Sequence, residues 1–178
     1  LARALNYERD GVNGPTVDMP EFGRHCAEII ESRHPDVLEM DAASHTGVDN
    51  IREIIESARY KPMSARTQVY IIDEVHMLST GAFNALLKTL EEPPSHVVFI
   101  FATTEIHKIP ATIMSRCQHY NFRRIARQEI IDRLRHVATQ DGMTIEDRSF
   151  TALATLGSFL YNLAATMLGG LEITLAED

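Results

Sequence analysis

The stretch from Val69 to Leu78 constrains the fold most, because an uninterrupted apolar run there ends abruptly in two adjacent carboxylates. The run Val69–Ile72 has the near-continuous apolar character of a strand buried on both faces of a parallel sheet. Asp73 and Glu74 follow at once, and open α/β sheets bind ligands at the carboxyl ends of their strands. The position predicts a metal and nucleotide site, in which one carboxylate holds Mg²⁺ and the other orients or deprotonates a water.

A strand that ends in two acids also has a plainer explanation. A helix often begins just after such a strand, and negative charge is stabilising at a helix N-terminus. The Asp73–Glu74 pair alone leaves these two interpretations level, so the rest of the chain has to decide between them.

Strand and helix patterns alternate through the first two thirds of the chain. The segments with strand character are Val37–Met40, Val69–Ile72, Val97–Ala102 and His119–Phe122. Apolar residues at helical spacing lie between them, over residues 48–58 and 82–90, and Pro93-Pro94 must end the second helix. Strands that alternate with helices predict an α/β fold, a parallel sheet with helices on its faces.

The strand pattern stops after Phe122. Helical spacing then runs over Arg127–Gln140 and Thr144–Leu156, and we expect the apolar remainder to be helical on either side of Gly169-Gly170. The sequence therefore predicts an α/β domain over residues 1–124 and a small all-helical domain over residues 125–178.

Composition excludes several classes of protein. A net charge of −8 over 178 residues argues against general coating of nucleic acid, so any such contact must be local. Cys26 and Cys117 are too few for a disulfide framework or a four-cysteine zinc site, and they favour a reducing, cytoplasmic setting. The longest nearly uncharged stretch, Phe159–Leu171, is too short to span a bilayer, so we expect no membrane partner.

Seven segments, in one order along the chain, resemble the AAA+ clamp loaders, and within these the gamma/tau subunits of bacterial DNA polymerase III. They are His34-Pro35-Asp36, Asp41-Ala42-Ala43-Ser44, residues 47–52, residues 73–94 from Asp73-Glu74-Val75-His76 to Pro93-Pro94, Ala102-Thr103-Thr104-Glu105, Lys108-Ile109-Pro110 and Ser115-Arg116-Cys117. The resemblance runs from about Leu1 to Ser158. It implies an AAA+ P-loop-type sheet followed by a helical lid domain.

The resemblance also implies a role for each site residue. Asp73 would bind Mg²⁺ with ATP, Glu74 would position the attacking water, and Thr104 would sense the γ-phosphate. Arg116 would be an arginine finger that acts in trans on a neighbour's ATP, since a guanidinium offers fixed planar donors to phosphoryl oxygens. Without the resemblance, Thr104 is equally a capping residue at a strand end, and Arg116 is a solvated surface charge.

The helix that opens at Gly47 is a candidate DNA contact. The N–H groups of Gly47 and Val48 at its N-terminus can bind a phosphate, and Arg52 lies one turn further on. Asp49 weakens the electrostatic case, and a plain amphipathic helix is the competing interpretation.

The chain departs from the family pattern at the phosphate loop. The pattern G-x-x-x-x-G-K-[ST] occurs nowhere in the 178 residues. In the family it precedes the helix that Leu1–Leu5 continues, together with a strand that sits between those at 97–102 and 119–122. We therefore expect a truncated chain, a gap in the sheet with exposed edges and little ATP binding by these residues alone.

Two further departures concern zinc and the lid. Many gamma/tau subunits carry a four-cysteine zinc module, but here Cys26 is alone, with Gly23 and Pro20 at the positions three and six before it. His25 and His34 cannot complete a closed shell of four ligands, so we predict no zinc. The family's lid arginine and the aspartate beside it are replaced by Leu160 and Tyr161, which puts nucleotide sensing by the lid in doubt.

Three functions remain as alternatives. The first is the ATPase subunit of a clamp loader within a DNA-directed DNA polymerase holoenzyme, with other loader subunits, the sliding clamp and primer–template DNA as partners. The second is a non-catalytic loader subunit that donates Arg116 in trans, although retention of Asp73 and Glu74 argues against it. The third is a helicase, because Asp73-Glu74-Val75-His76 matches the DExH pattern.

Overall fold

A computed structural model of the chain describes residues 1–122, 125–140, 142, 149–153, 155–157 and 172–175. The helices are α1 (Ala2–Leu5), α2 (Cys26–Ile30), α3 (Val48–Ser57), α4 (Thr80–Glu91), α5 (Ala111–Met114) and α6 (Arg127–Gln140). The strands are β1 (Glu8–Arg9), β2 (Val12–Asn13), β3 (Val37–Asp41), β4 (Gln68–Asp73), β5 (Val97–Thr103), β6 (Gln118–Asn121) and β7 (Glu172–Leu175). Short 3-10 turns lie at Val75–Met77 and Ile106–Lys108.

The larger sheet has the strand order β3-β4-β5-β7-β6. Strands β3, β4 and β5 are parallel, with Val37 opposite Val69 and Val69 opposite Val98. The parallel pairing confirms the predicted α/β class. An apolar run such as that of β4 is stable only where both faces of the sheet are covered.

Helices cover both faces of the sheet. On one face, α3 and α4 pack against β4 and β5, and their buried side chains include Ile51, Ile54, Phe83, Leu86, Leu90, Phe99 and Phe101. On the other face, Ala2 of α1 packs with Val37, Val69 and Ile100. The amphipathic periodicity of α3 and α4 therefore predicted their buried sides correctly.

The first turn of α4 is fixed by two local features. The Ser79 hydroxyl accepts a hydrogen bond from the Ala82 N–H at 3.2 Å and so caps the helix. Gly81 lies so close to α3 that a Cβ atom there would be 2.8 Å from Val48 Cγ2. A larger residue at position 81 would therefore push against the Val48 side chain where the two helices begin side by side.

Strand β7 corrects two predictions made from the sequence. The C-terminal tail was expected to be helical, but Glu172–Leu175 is a strand antiparallel to β5, with Ile100 opposite Leu175 and Thr103 opposite Glu172. It occupies the place between β5 and β6 where we expected a gap. The edge of β5 offers backbone N–H and C=O groups that any extended segment can pair with, and Ile173 and Thr174 favour extended backbone.

The segment before β3 contains elements that periodicity did not predict. Strands β1 and β2 form an antiparallel hairpin with Arg9 opposite Val12, and α2 follows at Cys26. Two-residue strands and a five-residue helix are too short to produce a recognisable hydrophobic repeat. Their positions are set by contacts rather than by pattern.

The chain divides into two compact units, the first formed by residues 1–120 with β7 and the second by residues 121–171. In the second unit, α6 has the predicted bounds, and Ile131, Ala138 and Phe150 form its small core. Residues 149–153 and 155–157 are helical, which is the described part of the predicted helix over 144–156. Leu160 and Tyr161 lie outside the described residues, and the predicted domain limits of 1–124 and 125–178 stay a prediction.

Candidate active site

Asp73 and Glu74 lie where β4 ends and the chain turns sharply. The Asp73 side chain is exposed, and its Oδ1 accepts a hydrogen bond from the Glu74 N–H at 2.9 Å. Glu74 has left-handed backbone angles, φ 46° and ψ 43°, which cost a non-glycine residue about 1 kcal/mol. The strained residue leads directly into the 3-10 turn and holds both carboxylates at the carboxyl end of the strand.

Thr104 meets Glu74 at this edge. Because β4 and β5 are parallel neighbours, their carboxyl ends lie at the same edge of the sheet. The Thr104 hydroxyl donates a hydrogen bond to Glu74 Oε2 at 3.1 Å. The structure thus brings together three of the residues singled out from the sequence, Asp73, Glu74 and Thr104.

A buried histidine extends this cluster, and it was not assigned a role from the sequence. His76 Nδ1 lies 2.8 Å from Thr103 Oγ1 and 3.2 Å from Glu74 Oε2. Its side chain is only 6% exposed. The signal was present in the fourth residue of Asp73-Glu74-Val75-His76, but sequence alone does not show which strand end that residue faces.

Glu105 adds a third carboxylate to the same edge. Its N–H donates to Thr103 Oγ1 at 3.0 Å, and its Oε1 lies 3.7 Å from His76 Nε2. A hydrogen bond from Lys108, at 2.7 Å, lowers the pKa of Glu105, while partial burial acts in the opposite direction. Glu105 is therefore ionised at neutral pH, and the Lys108 ammonium beside it offsets its charge.

Arg116 does not join this cluster. Its guanidinium pairs with Glu91 at the end of α4 and donates to the backbone oxygen of Thr112, and its side chain is 30% exposed. None of its described contacts reaches Asp73, Glu74 or Thr104. This separation agrees with action on a different nucleotide site, but the role of Arg116 stays a prediction.

The candidate DNA contact has mixed electrostatics. Gly47 is the extended residue before α3, and Val48 begins the helix without a side-chain cap. Arg52 Nη1 lies 3.0 Å from Asp49 Oδ1, and both side chains are largely exposed. The helix N-terminus is accessible, yet the one nearby guanidinium is already offset by a carboxylate, so this contact also stays a prediction.

A small group of side chains around α2 could be considered as zinc ligands. His25, Glu28 and His34 each offer a ligand atom within 4.8 Å of the others. Cys26 is buried, and its Sγ accepts the Gly23 N–H at 3.3 Å. Three donors and one engaged thiol fall short of the closed tetrahedral shell of a structural zinc site.

The histidine protons weigh further against a metal there. The Asp36 N–H points at His34 Nδ1 at 3.1 Å, so this nitrogen accepts and the ring proton sits on Nε2. His34 Nε2–H then donates to His25 Nδ1 at 2.9 Å, which leaves the His25 proton on Nε2, 3.5 Å from Glu8 Oε2. Three of the four ring nitrogens are therefore engaged in this chain of hydrogen bonds, whereas His25 Nε2 is buried without a hydrogen-bond partner among the described residues. The residues do not fit zinc, and its absence stays a prediction with this physical reason.

Comparison with known proteins gives family matches to two parts of the chain. A family model described as DNA polymerase III, delta subunit matches residues 8–126. A second model, described as a transmembrane domain of unknown function, matches residues 144–177, most of which lie outside the described residues. Among the helices in the described part of the chain, none has the length and apolar character needed to cross a membrane.

Curated relatives extend the first match. The chain is 47% identical, over 87% of its length, to DNA polymerase III subunit tau of Bacillus subtilis, and 42% identical over 86% to subunit tau of Escherichia coli. It spans only 27% and 23% of those two proteins. A solved structure of a DNA polymerase III gamma subunit-related protein from Thermotoga maritima matches 71% of the chain and 47% of that protein, with a TM-score of 0.50 and 26% identity.

Proposed function

The chain belongs to the DNA polymerase III delta-subunit family of clamp-loader proteins, and on this premise we propose that it is part of a gamma/tau-type ATPase subunit that loads the sliding clamp on primed DNA. One observation carries the ATPase assignment, the 3.1 Å hydrogen bond from Thr104 to Glu74 beside the exposed carboxylate of Asp73. In this proposal, the acid that orients water, the polar sensor and the acid that binds the metal lie at adjacent strand ends.

The geometry supports a specific division of labour. Asp73 is the exposed acid and would hold Mg²⁺ with the phosphates of ATP, where the cation offsets charge on the phosphoryl oxygens. Glu74 would orient the attacking water and accept its proton. Thr104 would donate its hydroxyl proton to the γ-phosphate, and Arg116 would donate to the nucleotide of a neighbouring subunit.

The phosphate loop is the missing requirement. Among the 178 residues there is no G-x-x-x-x-G-K-[ST] segment, so these residues alone do not supply the backbone cradle for the phosphates. The carboxylate cluster retains the groups of a working site. This favours the ATPase subunit over a non-catalytic subunit that only lends Arg116.

The decisive variant is Glu74→Gln in the native gene product. We expect ATP hydrolysis to fall by at least about 100-fold while nucleotide binding persists, because the amide keeps the shape but cannot accept the proton. Glu129→Gln is the matched control, since Glu129 is an exposed acid on α6. Unchanged turnover in Glu74→Gln would overturn the catalytic assignment.

The proposed partners can be tested with the same protein. Primed DNA and the sliding clamp should stimulate hydrolysis, and Arg52→Ala should weaken that stimulation if the N-terminus of α3 contacts the backbone. An Arg116→Ala subunit mixed with wild-type neighbours should lower hydrolysis at the neighbours' sites.

Unwinding of forked DNA without clamp dependence would favour the helicase alternative instead. A cytoplasmic location belongs to this proposal, since replication is where such a subunit acts.

A further inference from the structure

The carboxylate of Glu74 is held asymmetrically. Both of its described side-chain contacts, from Thr104 Oγ1 at 3.1 Å and from His76 Nδ1 at 3.2 Å, go to the same oxygen, Oε2. Among the contacts of the described residues, none reaches Oε1. One oxygen is therefore anchored to the protein, and the other is left for a water molecule.

The two groups that anchor Oε2 differ in what else they must do. A threonine hydroxyl has one proton to donate. In the proposed function, Thr104 gives that proton to a phosphate oxygen of the nucleotide, and it then cannot donate to Glu74. Only the contact from His76 can persist while the nucleotide is engaged.

His76 is built to keep this contact. Its side chain is 6% exposed, and its Nδ1 is 2.8 Å from Thr103 Oγ1, whose residue is fully buried. The Thr103 oxygen is itself fixed by the Glu105 N–H at 3.0 Å. A hydroxyl oxygen has two lone pairs, so Thr103 can accept from both Glu105 and His76.

The position of the His76 proton follows from its neighbours. A carboxylate oxygen offers lone pairs to its neighbours, so an unprotonated Nδ1 at 3.2 Å from Glu74 Oε2 would place two lone pairs against each other. With the proton on Nδ1, the ring donates a hydrogen bond to Thr103 Oγ1 at 2.8 Å and presents the same N–H to Glu74 Oε2, which lies 3.2 Å from Nδ1. The imidazole is then a fixed donor between the two strand ends.

We infer that His76 is the positioning residue that holds Oε2 of Glu74 when Thr104 turns to the nucleotide, so that Oε1 stays aimed at the attacking water. This inference rests on the proposed ATPase function and adds to it. It assigns to the fourth residue of the Asp-Glu-Val-His segment a role in turnover rather than in nucleotide binding.

The test compares two amide substitutions in the native gene product. Asparagine in His76→Asn places an N–H near the position of Nδ1, whereas glutamine in His76→Gln places it near Nε2. We expect His76→Asn to keep kcat within about threefold of wild type and His76→Gln to lose about 10- to 100-fold, because misplacing a reacting group by about 1 Å has effects of that size. KM for ATP should change little in either variant.

Both variants are polar and similar in volume, so a merely structural requirement would affect them alike. Thermal melts establish that each is folded before its kinetics are compared. Equal kcat values for His76→Asn and His76→Gln, whether both normal or both reduced, would overturn the inference. Glu74→Gln, measured in parallel, separates the two proposals, since hydrolysis that survives that change refutes the ATPase function and the role of His76 together. If Glu74→Gln loses hydrolysis but His76→Asn and His76→Gln have equal kcat values, only the role of His76 is refuted.

Discussion

Two buried histidine clusters in this chain have nearly the same exposure and opposite chemical character. His76 is 6% exposed and His25 is 7% exposed. His76 lies between the carboxylates of Glu74 and Glu105, whereas His25 and His34 face each other edge to face, with ring centroids 4.8 Å apart. Burial alone therefore says little about what a histidine does.

The difference lies in where the ring protons go. Around His76 the neighbours are carboxylates at an accessible strand end, so the ring orients groups that can still meet a ligand. Between Asp36, His34 and His25 the hydrogen bonds run from donor to acceptor within the protein and end at His25 Nε2, which is buried without a hydrogen-bond partner in the described part of the chain. The first arrangement suits turnover and the second suits stability.

The largest expected effect contrasts two aspartates, one from each cluster. The buried Asp36 carboxylate accepts hydrogen bonds from the N–H groups of Met63, Ser64 and Ala65 at 2.7–2.8 Å, so Asp36→Ala removes the shared acceptor of three backbone donors. We expect the free energy of unfolding to fall by about 3 kcal/mol or more. Asp73→Ala, which removes an exposed carboxylate, should cost less than about 1 kcal/mol. Urea unfolding of both variants measures the contrast, and equal losses would contradict it.

A second prediction concerns the histidine pair itself. His34→Leu removes the acceptor of the Asp36 N–H and the donor to His25 Nδ1, so we expect a loss of about 2 kcal/mol in the free energy of unfolding. His107→Leu is the control, since its side chain is 70% exposed, and it should change stability by less than about 0.5 kcal/mol. If His34→Leu is as stable as the control, the pair does not stabilise this segment.

A third, smaller effect is the pH dependence of stability. Burial, and then the neighbouring His25, lower the pKa of His34 below its ordinary value of 6.5, although the nearby Asp36 and Glu28 act in the opposite direction. The unfolded chain therefore takes up protons first, and stability should fall as pH drops below about 6.5. Asp36 contributes at lower pH, because its pKa lies below 3.8; burial acts to raise it, but hydrogen bonds from backbone N–H groups outweigh that effect.

This dependence can be assigned to His34 by substitution. Denaturant midpoints at pH 7.5 and pH 5.5 should differ more in wild type than in His34→Gln, which removes the titrating group. An identical pH dependence in the two proteins would show that other groups account for it.

The smallest expected effect is that of metal removal. Because three of the four ring nitrogens of His25 and His34 are engaged in hydrogen bonds and the donors there fall short of four ligands, a zinc chelator should leave the melting temperature unchanged. Purified protein should hold far less than one zinc per chain. The histidine pair would then hold this segment without a metal. A loss of stability on adding the chelator, or one zinc per chain, would show that the pair of His25 and His34 binds a metal and does not act by hydrogen bonds alone.

Much of the fold was predictable where a repeat is long enough to be recognised. The limits of β3, β4 and β5 differ from the predicted strands by one or two residues, and α6 has the predicted limits. Gln68 and Asp73 add polar ends to the apolar run of β4, which is why periodicity missed them. The hairpin β1–β2 and the helix α2 were not predicted, because each is too short to produce a periodic pattern. The strand β7 was not predicted, because it lies in the apolar tail that was expected to be helical and its partner β5 is distant in the sequence.

The candidate site divides in the same way. Asp73, Glu74 and Thr104 were found from the sequence because each follows a recognisable apolar strand, and parallel neighbours end at the same edge. The sequence did not reveal that His76 and Glu105 face each other there, since a 3-10 turn and a left-handed residue determine their directions. It also could not show that the guanidinium of Arg116 pairs with Glu91.

The sequence by itself determined the parallel α/β arrangement and the carboxylates at the end of β4, because apolar periodicity and strand ends are properties of local order along the chain. Only the tertiary structure decided which oxygen of Glu74 is contacted, which two histidines form a hydrogen bond and which strand pairs with the free edge of β5. Those outcomes depend on atoms brought together from distant positions, such as His76 with Thr103 and Glu172 with Thr103. Hydrogen bonds form between groups that are close in space, whatever their separation along the chain.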